Sequence, residues 1–212
     1  MISPRGAVAQ QHQHGPLVHR FEHADAWAKK FEGPERDKWQ KPQEVVALLG
    51  DVKGKTVVDL GAGTGYFLSY LARVVGESGK VIALDIEPDM VRYMKERVTR
   101  QRLGNVEVRK SEGAEPGLPV GAVERVMIVD VWHHIPERSS YAKKLLSSLT
   151  PTGAVIIVDF NQDSKHGPPK EHRLKPEQVM TELTDAGLVP ELLSTTLTEQ
   201  YVVIARRPAS HR

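Results

Sequence analysis

The residues best suited to chemistry lie in one stretch, Thr56-Val57-Val58-Asp59-Leu60-Gly61-Ala62-Gly63-Thr64-Gly65-Tyr66, and in the acid that follows it at Asp85. Glycines at alternate positions let a chain turn sharply and let a ligand come close to the backbone. A buried apolar strand precedes them (Val57, Val58, Leu60), and an apolar-periodic helix follows (Phe67, Leu68, Leu71, Ala72, Val75). That arrangement aims the unpaired N–H groups of a helix start at whatever fills the turn, as a nucleotide-type ligand would. A dinucleotide turn wants G-x-G-x-x-G, whereas here the glycines run G-x-G-x-G from Gly61 to Gly65. Asp85 closes the next apolar run, Val81 to Leu84, where a carboxylate accepts from both hydroxyls of a ribose. Asp59, two residues before the first glycine, suits a cationic amine, which a nicotinamide cofactor lacks. A ligand with both an amino-acid end and a ribose points to S-adenosylmethionine.

A second group stands where a later apolar run ends, at Asp130-Val131-Trp132-His133-His134. Histidine titrates near neutrality, so His133 and His134 are the candidate general bases for an acceptor that keeps its proton at neutral pH. The plainer reading has one histidine bonding the turn and the other lining an acceptor pocket. Asp159 closes the following apolar run and is placed to orient a histidine or an acceptor, with a structural role equally open. These three could hold a metal, but their spacing does not demand one and none is assigned. His166 and His172 in a polar loop, and His12 and His14 near the start, read first as solvated side chains.

Such residues need a frame that brings several strand ends together. Lys80–Asp85 reads as the second strand, Pro88–Leu103 as a helix with an apolar face of Met90, Val91, Met94 and Val98, and Val106–Lys110 as the third strand. Glu124–Val131 is a fourth strand, nearly all apolar and so buried on both faces. A helix through Tyr141, Leu145 and Leu149 is expected to stop at Thr150-Pro151-Thr152-Gly153, before a fifth strand over Ala154–Asp159. A polar loop through His166 to His172 then lies on the crevice side, as a lid or as part of the acceptor site. Pro176–Gly187 is a helix closed by glycine, and Leu188–Ser194 with Glu199–Arg207 should pair as an antiparallel hairpin. Upstream, Phe21 to Phe31 has helical spacing, and Glu35 to Leu49 a second helical region broken or kinked at Pro42.

The segment from Asp59 to Gly65, with Asp85 behind it, resembles motif I of class I S-adenosylmethionine-dependent methyltransferases, in particular the group containing quinone-biosynthesis C-methyltransferases and arsenite methyltransferases. The likeness runs over roughly residues 40–207. It implies an α/β fold: a Rossmann-like, doubly wound, seven-stranded sheet, mostly parallel with an antiparallel C-terminal hairpin. It implies S-adenosylmethionine as cofactor and S-adenosylhomocysteine as product. Asp59 and the Gly61, Ala62, Gly63 and Gly65 turn would hold the methionine part, Asp85 the ribose, and Ile86 and Glu112 the adenine, with Met90, Gly113, Asp130 and Val131 completing the cofactor set. Glu112 stands where the family more often has Asp. Segments before the first strand often shape the acceptor pocket in this family, so Trp27, Phe31 and Trp39 become candidate walls; packing onto the core is the other reading. The expected division is a tail over 1–20, a helical cap over 21–50, the methyltransferase domain over 51–207 and a short tail over 208–212.

Composition narrows the partners. The chain has 212 residues, 40% hydrophobic and 26% charged, enough for one full core. A net charge of +2 argues against nucleic acid as the main partner. No run is long and apolar enough to span a bilayer, so integral membrane association is not expected and a cytoplasmic protein is. The absence of cysteine excludes disulfides, thiolate metal sites and the arsenic-binding thiols of arsenite methyltransferases. The Asn/Asp-Pro-Pro-Tyr element of nucleic-acid amino-methylating enzymes is also missing, Asp130-Val131-Trp132-His133 standing there instead. The acceptor expected is a small, moderately apolar molecule beside Trp27, Phe31 and Trp132. Two other functions stay open at this point: a non-catalytic protein binding the same cofactor, and a nicotinamide-dependent oxidoreductase. The oligomeric state is not legible.

Overall fold

The computed structural model describes residues 23–209. Phe21, His12, His14 and the terminal tails expected at either end lie wholly or largely outside the described residues. Seven strands form one sheet: β1 (Thr56–Leu60), β2 (Lys80–Asp85), β3 (Val106–Lys110), β4 (Val123–Val129), β5 (Leu149–Phe160), β6 (Val189–Leu193) and β7 (Gln200–Arg206). Their order is β3-β2-β1-β4-β5-β7-β6. The first five are parallel, and β7 runs antiparallel to β5 on one side and β6 on the other. The expected hairpin is therefore present, with its second strand driven into the sheet between β5 and its own partner.

Helices cover both faces because the strands are apolar on both. On one face, Val57, Ala83, Met127 and Ile156 pack under α3 (Pro42–Ala47), α4 (Leu68–Val75) and α5 (Pro88–Gln101). On the other, Val58, Leu84, Ile128 and Ile157 pack under α6 (Arg138–Ser148) and α7 (Pro176–Asp185). Two short helices, α1 (Ala24–Phe31) and α2 (Pro34–Gln40), precede these. The second helical region of the cap is indeed broken at Pro42: Lys41 takes φ 46° and Pro42 opens α3, where its missing N–H costs nothing.

The turn expected at Thr150–Gly153 does something else. Helix α6 ends at Ser148, and Leu149 already pairs with Val123 as the first residue of β5. The register then shifts before Arg125 pairs with Ala154. The extra residues are held by side chains, with Thr150 and Thr152 donating to the Glu124 carboxylate at 2.7 and 3.0 Å. A bulge rather than a stop is the result.

Two further features set the crevice at the carboxyl ends of the strands. Helix α2 is tied to the sheet by Gln40, which is fully buried and donates to Gln200 at 2.6 Å. The polar segment after β5 is held chiefly by Arg173, with Glu199 accepting from the Ser164 hydroxyl and the Lys165 N–H at 2.9 and 2.7 Å. The Arg173 guanidinium donates to the carbonyls of Asn161, Gln162, Ser164, His166 and Pro168 at 2.8–3.1 Å. Gly167 lies so close to the Phe160 ring that a Cβ would sit 2.4 Å from it. This segment is a tied loop, not a free lid. Replacing Arg173 with Ala should speed amide hydrogen exchange across residues 161–168 by tenfold or more, with the sheet unaffected; unchanged protection there would show that the clamp is dispensable.

Candidate active site

Four aspartates stand in a row at the carboxyl ends of adjacent strands: Asp85 on β2, Asp59 on β1, Asp130 just past β4 and Asp159 on β5. Asp59, Asp85 and Asp159 are buried, and the Asp130 side chain is 18% exposed. The glycine turn closes over the β2 end through N–H bonds from Gly61 and Ala62 to the Leu84 carbonyl, at 2.8 and 2.9 Å. Gly61, at φ 72°, packs against Val131, and Gly65 sits on Leu68 and Met94. Gly63 differs: its φ is 57° and nothing lies within 4 Å of where a Cβ would be. Here the backbone is bare toward the crevice, as close ligand approach requires.

Burial pushes the Asp59 carboxyl up to about 7, with the Asp85 charge adding to the shift and Arg36 opposing it. Its Oδ2 has no partner among the described residues. A buried carboxylate oxygen left unpaired calls for a donor, and a cationic amine would supply one. Burial also raises Asp85, while N–H groups from Glu87 and Gly63, at 3.0 and 2.7 Å, act to lower it. Beside Asp85, Ile86 is 54% exposed and Gly113 lies against it, which leaves an apolar edge for a flat ring. Met90 is fully buried in the first turn of α5. Glu112 is not drawn in: its side chain is 81% exposed, 3.6 Å from the Lys110 amine.

The β4 end supplies the candidate base. His133 is buried, and its Nδ1 lies 2.9 and 3.0 Å from the two oxygens of Asp159, whose Oδ1 also accepts from the Phe160 N–H. Burial opposes the charged imidazole, but the bond to Asp159 and the charges of Asp159 and Asp130 outweigh it and raise the His133 pKa. His134 is half-buried, its ring 4.1 Å from that of His133. Asp130 adopts φ 59°, a left-handed conformation that aspartate tolerates better than most residues, and is pushed up to about 7, chiefly by burial.

Trp132 is not an acceptor wall. It is fully buried on the α6–α7 face, and its Nε1 donates to Glu182 at 2.9 Å. Trp27 and Phe31 stack on each other at 5.1 Å on α1, which is held to α5 by the Ala24 N–H donating to Asp89 at 2.7 Å. Trp39 is half-buried and stacks on His166 at 4.6 Å, joining α2 to the clamped loop. The residue that local pattern could not single out is Arg36. Its guanidinium lies 4.1 Å over the Tyr66 ring and 3.7 Å from Asp130 Oδ2. The neighbouring Asp37 accepts a short hydrogen bond from the Tyr66 hydroxyl. No spacing rule links a residue of the cap to a strand end.

Sheet order and glycine turn together define a doubly wound α/β protein with a ligand crevice at the carboxyl ends of its strands. The chain belongs to the methyltransferase domain family, which it matches over residues 51–201. A solved S-adenosylmethionine-dependent methyltransferase from Aquifex aeolicus is 32% identical, with a TM-score of 0.79, covering 85% of this chain and 96% of that one. The ubiquinone/menaquinone biosynthesis C-methyltransferase UbiE of Salmonella arizonae is 28% identical over 111 residues, 52% of this chain and 44% of that enzyme. The match thus spans less than half the length of these curated relatives. At 15% identity the Haemonchus contortus phosphoethanolamine N-methyltransferase 2, solved with S-adenosyl-L-methionine, shares the fold, with a TM-score of 0.67 over 80% of this chain and 53% of that one. By family the chain thus groups with S-adenosylmethionine-dependent methyltransferases, and the oxidoreductase alternative falls away.

The raised Asp59 pKa has a measurable cost. Between the ordinary value of 3.8 and about 7, the folded cofactor-free protein holds a proton that the unfolded chain has lost, so stability falls as pH rises through that window. Asp59→Asn should therefore raise the melting temperature, more at pH 8 than at pH 5. An equal change at both would mean that Asp59 titrates normally.

Proposed function

We propose that this enzyme methylates a small, neutral or cationic acceptor whose reacting atom carries a proton, and that His133 removes that proton. S-adenosylmethionine, when bound, supplies a methyl group already activated by its sulfonium. The orphaned oxygen of Asp59 and the bare Gly63 backbone suit the methionine end, Asp85 suits the ribose, and Ile86 with Gly113 suits the adenine. Placement of the two reactants, with water excluded, then carries the larger share of catalysis for an in-line displacement.

The observation behind the base is the buried pair of His133 and Asp159. With Asp159 ionised, Nδ1 keeps the proton it donates and Nε2 is left as the basic nitrogen. An amine or thiol acceptor would need no such group, whereas a hydroxyl or a carbon acid would. The Salmonella relative is named for methylation at carbon, which agrees with a base. Charge supports the rest of the reading. Among the described residues, Asp59 and Asp85 repel each other, as do Asp130 and Asp159, with Arg36 opposing the charge on Asp59 and Asp130 and His133 that on Asp130. A phosphorylated or carboxylated acceptor would therefore meet acidic side chains at the reacting end.

Methyl transfer to a hydroxyl or carbon-acid acceptor, found by mass spectrometry of metabolite mixtures, should rise with pH along a limb centred above the ordinary histidine value of 6.5. Asp159→Asn should move that limb to lower pH and reduce its plateau, and His133→Gln should abolish it with a loss of a hundredfold or more in kcat. An undiminished rate and intact limb in His133→Gln would leave placement as the whole mechanism.

A further inference from the structure

The cap contributes one strong cation to a crevice that is otherwise acidic, and that cation is not fully used. Arg36 comes from α2, before the sheet begins, and its side chain is only 15% exposed. Its NH1 donates to the Phe31 carbonyl at 3.0 Å, while Nε and NH2 share the Gln40 side-chain oxygen at 3.4 and 3.1 Å. A guanidinium has five N–H donors, so two remain beyond these three bonds. The nearest carboxylate oxygen, on Asp130, is 3.7 Å away, beyond hydrogen-bond reach. The guanidinium carbon lies 4.1 Å over the Tyr66 ring, a cation–π contact that helps hold it in place. Asp59, at the adjacent strand end to Asp130, feels the Arg36 charge and carries an oxygen with no donor among the described residues.

A spare donor pair beside a spare acceptor is the complement of an amino-acid zwitterion, whose carboxylate needs donors and whose ammonium needs an acceptor. We propose that Arg36 binds the α-carboxylate of the methionine end of S-adenosylmethionine while Asp59 takes its ammonium. This rests on the placement of the amino-acid end at Asp59 given above. The consequence is that the cofactor is held across a joint between the cap and the sheet. Arg36 shares α2 with Asp37, which holds the Tyr66 hydroxyl, and with Gln40, which holds Gln200. Cofactor binding therefore fastens the cap over the crevice where the acceptor must enter.

The competing role for Arg36 is simple neutralisation of Asp59 and Asp130, and the two roles separate in a binding cycle. Calorimetry would compare S-adenosylmethionine with its decarboxylated analogue in the unaltered protein and in Arg36→Gln, each variant first checked by thermal melting. The unaltered protein should prefer the carboxylated ligand by at least tenfold, and Arg36→Gln should lose that preference. Arg36→Lys, which keeps the charge but not the paired donors, should keep only part of it. A preference in Arg36→Gln equal to that of the unaltered protein would overturn the assignment, since neutralisation affects both ligands alike. Asp59→Asn should weaken both ligands, because both carry the ammonium. Unchanged affinity there would remove the placement at Asp59 itself, an outcome distinct from failure of Arg36 alone.

Discussion

The structure is governed by the burial of four carboxylates at the ends of adjacent parallel strands with too few cations to balance them. Burial pushes Asp59 and Asp130 each up to about 7, the nearby carboxylates adding to the shift, and raises Asp85 as well. Desolvated acids this close to one another are unfavourable in an empty protein. The proposed cationic ligand would turn the same arrangement into a source of affinity. The molecule thus holds strain of an electrostatic kind at its site, which its apolar core on both sheet faces offsets.

The remaining polar contacts around the crevice read as responses to that constraint. Asp130 is supported by Gln200 at 2.5 Å, Gln200 by Gln40, and Gln40 lies on the same helix as Arg36. Asp159 is matched with His133 and the Phe160 N–H. Asp85 is matched with two backbone N–H groups. Among the described residues, Asp59 is the one of the four with a fully buried oxygen that has no hydrogen-bond partner. It is there that the proposed ammonium would complete the network, since buried polar groups are as a rule hydrogen-bonded.

The cap and the clamped loop belong to the same design. Helix α2 reaches the sheet through Gln40 and the glycine turn through Asp37 and Tyr66, and it reaches the 161–172 segment through Trp39 stacked on His166. Arg173 holds that segment from within through five carbonyls, and Glu199 holds it from β7's side by accepting from the Ser164 hydroxyl and the Lys165 N–H. In the proposed reading the acceptor end would be bounded by elements far apart in sequence, as a widely shared fold carrying individual substrate choice requires.

The sequence by itself determined the strands, the G-x-G-x-G turn, the placement of Asp59 and Asp85 at strand ends, the break at Pro42 and the antiparallel C-terminal pair. Each follows from short-range rules: apolar periodicity, the φ a glycine allows, the N–H a proline lacks. Tertiary structure decided what depends on residues meeting from a distance. It paired Asp159 with His133, 26 positions away, and Gln40 with Gln200, 160 positions away. It put Trp132 in the core because Glu182 offered its indole N–H a partner there. It made Thr150–Gly153 a bulge because Glu124 held both threonines. It brought Arg36 over Tyr66, where a lone arginine in a helical cap has no local signature. Periodicity and turn chemistry are written in neighbouring residues, whereas the choice of partner for a buried charge is made only when the sheet and its cap close around it.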